Sequence, residues 1–251
     1  MWNNLKSDCY RALHTKSFYV ILILSVVVYE MLFTGNGIMN NTGFAEYRYE
    51  ENTFVEFLYY LPKSGLFAFL ALLFVGMFAT DEYNSGFVKN TYPLHVHKWA
   101  LLLERYVFNL IIITVFYLAI VLVTGLCQLL SPITSGSLNL EHYLIYLLVQ
   151  ILILGAVASF ITLITHLTKS RVLIVLISLS FGMMMWYMMM GMLLDFLFKS
   201  TDLLQYTMYE LMGKLPYAFS WDGYRTAILV LIGNTLLYNG ISCLILKKKD
   251  I

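Results

Sequence analysis

Charge is the scarcest resource in this chain. Of 251 residues only 12% are Asp, Glu, Lys or Arg, against about 25% in an average soluble domain. The formal net charge is +1, so there is no basic face of the kind nucleic acid requires. Cysteine is sparse too: Cys9, Cys127 and Cys243. An odd, scattered set makes no disulfide framework, and these three read as packing residues, Cys9 and Cys243 near one side of a membrane and Cys127 near the other. No G-x-x-x-x-G-K-[ST] sequence is present, so no P-loop cradles ATP. No H-E-x-x-H is present either, which removes a familiar zinc-protease arrangement.

What fills the chain instead is oil. Hydrophobic residues make up 60% of it, and the mean hydropathy is +0.74. Too little polar surface remains to cover a fold in water, so lipid must be part of the solvent. Charge-free or nearly charge-free runs mark six candidate spans: 17–33, 58–80, 103–130, 143–167, 172–195 and 226–246. About 20 helical residues cross a bilayer core, and inside lipid each span must be helical because the backbone has no water to pair with. The second run is short, Gly65–Thr80 without charge, and is expected to start earlier, within Phe57–Leu61. The first run lacks a small-residue cleavage site after it, so it is expected to stay in the mature protein.

Lys and Arg set the expected orientation. With the amino terminus cytoplasmic, the inner segments hold Lys6, Arg11, Lys16, Lys89, Lys98, Arg105, Lys169, Arg171, Lys247, Lys248 and Lys249. The outer ones hold Arg48, Lys63, Lys199, Lys214 and Arg225. This bias favours cytoplasmic N- and C-termini, with 247–251 an inner tail. Residues 1–16 place Trp2, Leu5, Cys9, Ala12 and Leu13 at helical spacing, an amphipathic helix lying on the inner surface. An outer loop, 34–64, carries Glu46, Glu50, Glu51 and Glu56. In the outer segment 199–225, Leu203, Leu204, Met208, Leu211, Met212 and Leu215 repeat at helical intervals before Pro216, which predicts one or two short capping helices. The fold class expected is therefore an all-α integral membrane protein, one domain over 1–251.

Between spans two and three lies a polar piece, "TDEYNSGFVKNTYPLHVHKW". Thr80 or Asp81 is placed to cap a short helix, Gly86 to break it, and Tyr92-Pro93 reads as extended chain. This piece resembles the segment after span two in ABC-2 type exporter permeases: acids, Ser-Gly, an apolar pair, Lys-Asn, a turn with Pro, then a basic residue. The matching positions are Asp81, Glu82, Ser85, Gly86, Phe87, Val88, Lys89, Asn90, Pro93, Leu94 and Lys98. The start of the chain is similar to the same family's surface helix and first span, at Leu5, Asp8, Arg11, Lys16, Ser17 and Phe18. The chain departs from the pattern at His95-Val96 and at Glu104-Arg105. The resemblance covers essentially the whole chain and rests on loose motifs. It implies the ABC-2 (type V exporter-like) fold of a bacterial plasma-membrane permease, with 81–98 as a coupling segment seated on a separate cytoplasmic ATPase subunit. ATP and Mg would come from that partner, and a second permease copy or homologue would complete the pathway. The ATPase-coupling candidates are thus Asp81, Glu82, Gly86, Lys89, Asn90, Pro93, Leu94 and Lys98, with Glu82, Lys89 and Lys98 expected to touch the partner. Peptide exporters and immunity exporters of this family have permeases of this size, which points to an amphipathic or hydrophobic cargo, above all a peptide.

"FGMMMWYMMMGMLL" carries Met185, Met188, Met189 and Met192 on one stripe. These are candidates for an adaptable apolar substrate path, because unbranched thioethers repack around varied ligands; ordinary packing against lipid is the other reading. His95 and His97 stand two apart with no Cys or carboxylate converging, so no metal site is expected. His166 is expected to be an interfacial polar residue, and Glu30 and Asp195 to be hydrated acids near outer span ends. Two other functions compete with the exporter. An ion-coupled carrier would need buried charge at mid-bilayer, and no span centre has one. A membrane-embedded CAAX-type protease would need an Arg four residues after the Glu50-Glu51 pair, where Val55 stands.

Overall fold

The structure is a computed structural model that describes residues 2–34, 54–86, 98–128, 137–199 and 202–248. Among them the regular structure is entirely helical. The helices are α1 (Trp2–His14), α2 (Lys16–Thr34), α3 (Phe54–Tyr60), α4 (Gly65–Asn84), α5 (Lys98–Gln128), α6 (Leu140–Thr168), α7 (Arg171–Gly182), α8 (Met185–Phe198), α9 (Met208–Lys214) and α10 (Trp221–Lys248). Short 3-10 turns cover Leu61–Lys63 and Asp202–Tyr206. Four helices, α4, α5, α6 and α10, are long and apolar enough to cross a membrane, and two bent pairs, α1 with α2 and α7 with α8, raise the number to as many as six. The protein is a multi-pass α-helical membrane protein.

α4 is the central rod. Twelve of its twenty residues are buried, and its neighbours are α2, α5, α6 and α7. Phe74 meets Phe18 of α2 at 5.3 Å and Phe116 of α5 at 5.9 Å between ring centres, and Phe18 also meets Phe116 at 5.7 Å. In lipid such apolar contacts gain little from water exclusion, so van der Waals fit and polar pairs must hold the helices. The hydroxyls of Ser25, Thr80, Thr114, Ser159 and Thr165 each donate to the carbonyl four residues earlier, which leaves no bare donor in the apolar interior at those positions.

Helix boundaries depart from the sequence reading in three places. The second span does not begin within Phe57–Leu61. Pro62 sits in a 3-10 turn and Ser64 is extended (φ −67°, ψ 128°), so α3 ends there and α4 starts afresh at Gly65. α4 instead runs past Thr80 and Asp81, neither of which caps anything, to Asn84. The fifth span is not one rod: α7 and α8 are bent by 76° at Met183-Met184, where Met184 adopts a left-handed φ of 60°. Gly182 lies at that corner because α4 passes so close that a Cβ there would come within 2.5 Å of the Phe69 Cβ and 2.8 Å of the Gly65 carbonyl oxygen.

The two ends of the bundle are chemically different. At one end sit α1, the C-terminal turns of α4 and α6, the first turns of α5 and α7, and the end of α10, where Cys243 and Leu246 pack on Leu101 and Leu102. The other end is a tyrosine cluster. Tyr117 and Tyr143 share a hydrogen bond, Tyr146 donates to the Tyr59 carbonyl, and Gln150 donates to the Met212 carbonyl. Tyr59, Tyr143, Tyr146 and Tyr217 also stack edge-on or tilted, with Lys63 over the Tyr217 ring. The segment after α8 folds over this side. Leu204, Met208, Leu211, Met212 and Leu215 are buried, while Leu203 is exposed.

Candidate functional site

The end of α4 is where the bundle's polar side chains meet. Successive helical residues point about 100° apart, so Asp81, Glu82 and Tyr83 fan out toward three different neighbours. Asp81 pairs with Arg171 at the start of α7, at 2.5 Å. Tyr83 bonds the Nδ1 of His166 near the end of α6, and the Lys169 ammonium stands 5.3 Å from its ring centre. Glu82 turns inward, only 3% exposed, and accepts from Arg11 of α1 and Arg105 of α5.

Glu82 thereby belongs to a quartet of alternating sign. Asp8 accepts from Arg11 and lies 3.8 Å from the nearest Arg105 nitrogen. The two carboxylates and two guanidinia sum to zero formal charge. Phe78 and Phe108, 4.9 Å apart and stacked, form the floor. The Arg11 guanidinium is 5.2 Å from the Phe78 ring centre, and that of Arg105 is 5.7 Å from Phe78 and 5.6 Å from Phe108. Arg suits this place because its planar fork pairs with carboxylates while its face lies on a ring. α1 delivers its share through the Leu5, Asp8, Ala12 face, all three buried, at a 68° bend to α2. Asp8 thus packs inward, not on the wet side of a surface helix.

The coupling candidates fall into two groups. Asp81 and Glu82 are helical and bonded within the bundle, so Glu82 is not offered to a partner: burial between two arginines consumes it. Gly86 closes the helix in a turn at φ 74°, a conformation that favours glycine, with its N–H on the Tyr83 carbonyl at 3.2 Å. Lys98 opens α5 and is half-buried. Lys89, Asn90, Pro93 and Leu94 lie outside the described residues, as do His95 and His97. Arg11, Asp8 and Arg105 were not singled out in the sequence as members of one site. The one available sign was the Asp8–Arg11 spacing beside the apolar Leu5 and Ala12.

The methionine stripe faces away from the bundle. Met185, Met188, Met189 and Met192 are all exposed, Met192 at 74%, on the outward side of α8. A cavity of about 260 Å³ does open behind that helix, but Met190 and Met208 line it instead. The 76° bend swings α8 away from α7, and this leaves the hollow. His166, in the last turn of α6, is buried and hydrogen-bonded. Glu30 is half-buried beside Cys127, and Asp195 is exposed. All three cysteines are free thiols; Cys243 packs at the α1 end and Cys127 at the other. Among the described residues no group of three or more His, Cys, Asp or Glu is placed to hold a metal ion. No protein-family model matches this chain, and no curated protein does.

Proposed function

We propose that this chain is the membrane-spanning subunit of an ATP-driven exporter of the ABC-2 kind. It crosses the bacterial plasma membrane six times with both termini cytoplasmic, and pairs with a second permease and two ATPase subunits that supply ATP and Mg. The cargo is amphipathic or hydrophobic, with a peptide as the first choice. What carries the reading is the hub at the end of α4. Asp81, Glu82 and Tyr83 tie the root of segment 87–97 to α1, α5, α6 and α7 together. A push on that segment therefore reaches four helices through short, charge-assisted contacts, as rigid-body switching demands. The sequence resemblance supplies the nature of the partner.

The test is to purify the chain from its native membrane with whatever binds it, then to reconstitute that complex in vesicles. An ATPase subunit should co-purify, and cargo should stimulate its hydrolysis. Lys89→Glu should abolish the stimulation while leaving the thermal stability of the complex as it was. Absence of any nucleotide-binding partner, or full stimulation in Lys89→Glu, would refute the proposal.

A further inference from the structure

The hollow behind α8 has an unusual wall. α6 contributes Phe160, α7 ends on it with Phe181, and α8 brings Trp186 and Tyr187. Tyr206 and Tyr209 close it from the segment after α8, and Tyr238 with Asn234 from the middle of α10. The rings form two groups: Phe160 lies 5.7 Å from Trp186 and 5.2 Å from Tyr238, while Tyr209 lies 5.7 Å from Phe181 and 5.5 Å from Tyr187. Trp186 and Tyr206 are exposed as well as lining, so the hollow is open on their side.

The lining itself favours positive charge. Ring faces carry negative quadrupole charge. Among the described residues no Lys, Arg or His lines the wall. The carboxylate of Glu210, the residue next to Tyr209, stands beside the Tyr187 hydroxyl, so an acid lies just behind the rings. The α7 C-terminus and the α8 N-terminus meet at the same corner with opposite dipole ends and offset each other. Glu210 already holds Lys214, but that ammonium reaches in from an exposed position. Glu210 pushes the Lys214 pKa up, so this rival cation stays charged at neutral pH.

We propose that this cavity binds an organic monocation carrying apolar substituents, a quaternary or tertiary ammonium group, with its charge against the rings and toward Glu210. The volume, about 260 Å³, suits a ligand of one ring and one substituted ammonium. Attraction of a desolvated cation to aromatic faces needs no movement of protein charge. The site stands whether or not an ATPase drives the protein, and its test contains none.

The full chain in lipid nanodiscs is titrated calorimetrically with benzyltrimethylammonium and, separately, with neopentylbenzene, the neutral compound of the same shape. The cation should bind saturably and roughly tenfold tighter than the neutral compound, which is the range of cation–ring attraction in dry sites. Trp186→Leu and Tyr238→Leu should each weaken cation binding about fivefold and leave the neutral ligand near its wild-type value. Glu210→Gln should weaken the cation, and Lys214→Gln, which removes the competing ammonium, should tighten it. Equal affinity for the two compounds on the unmutated protein would overturn the proposal without relying on any variant. So would the lack of saturable cation binding, or weakening in Lys214→Gln.

Discussion

At the scale of single residues, the costliest commitment is Glu82. A carboxylate 3% exposed is tolerable only because two guanidinia meet it. Removing one partner of such a group leaves the others charged, dry and short of a counter-ion, at about 3–5 kcal/mol. Glu82→Ala should therefore lower the thermal unfolding temperature of the purified protein steeply. Asp81→Ala, whose pair with Arg171 is half exposed, should cost about 1 kcal/mol or less. Exchanging signs across one contact, Glu82→Arg with Arg105→Glu, should recover part of what Glu82→Arg alone loses; no recovery would mean that the quartet does not hold α4 to α5. Beyond the Asp8–Arg11 spacing, this was not visible in sequence. Asp8, Arg11, Glu82 and Arg105 sit at positions where a surface charge is the ordinary expectation, and only their meeting across 71 and 23 residues of chain makes them a unit.

At the scale of elements, the contact between α4 and α7 depends on two glycines. A methyl group on Gly65 would run into the Gly182 carbonyl oxygen, and one on Gly182 into Phe69 and Gly65. Both obstacles include backbone, which cannot rotate away. Gly65→Ala and Gly182→Ala should each destabilise by about 1–3 kcal/mol, and the double variant by less than the sum, because they break one contact. Gly233→Ala is the control. Nothing lies within 4 Å of a Cβ there, mid-way along α10, so it should be neutral or stabilising by about 0.5–1 kcal/mol. Differential scanning calorimetry of the four proteins checks the set. The long helices themselves were legible, since uncharged runs of this length have one stable form in lipid. The break in 172–195 was not. Met183 and Met184 are as apolar as their neighbours, and a left-handed Met is imposed by packing rather than signalled by residue type. The elongation of α4 to Asn84 was hidden for a related reason: Asp81 and Glu82 look like the end of a span until their partners are known.

For the whole molecule, the polarity of its ends is the decisive expectation. α1, the close of α10 and the charged hub share one end. In the six-span reading that end is cytoplasmic. With Cys9, Cys127 and Cys243 replaced by Ser, a cysteine at Lys89 should resist a membrane-impermeant maleimide in intact cells and react once the membrane is opened. A cysteine at Lys63, beside Tyr217 at the opposite end, should react in both. The reverse pattern would turn the molecule over.

The corner between α7 and α8 also has a bearing on the lipid. α7 is 12 residues long, about 18 Å of helix, where the hydrocarbon layer is about 30 Å thick. Beyond the corner α8 turns aside with Met188, Met192 and Phe196 facing outward. In the six-span reading, acyl chains beside this pair meet a lower wall than those beside α5 or α6. On that reading a bilayer of shorter-chain lipids should open or close the angle between α7 and α8, which makes membrane thickness an input to the fold.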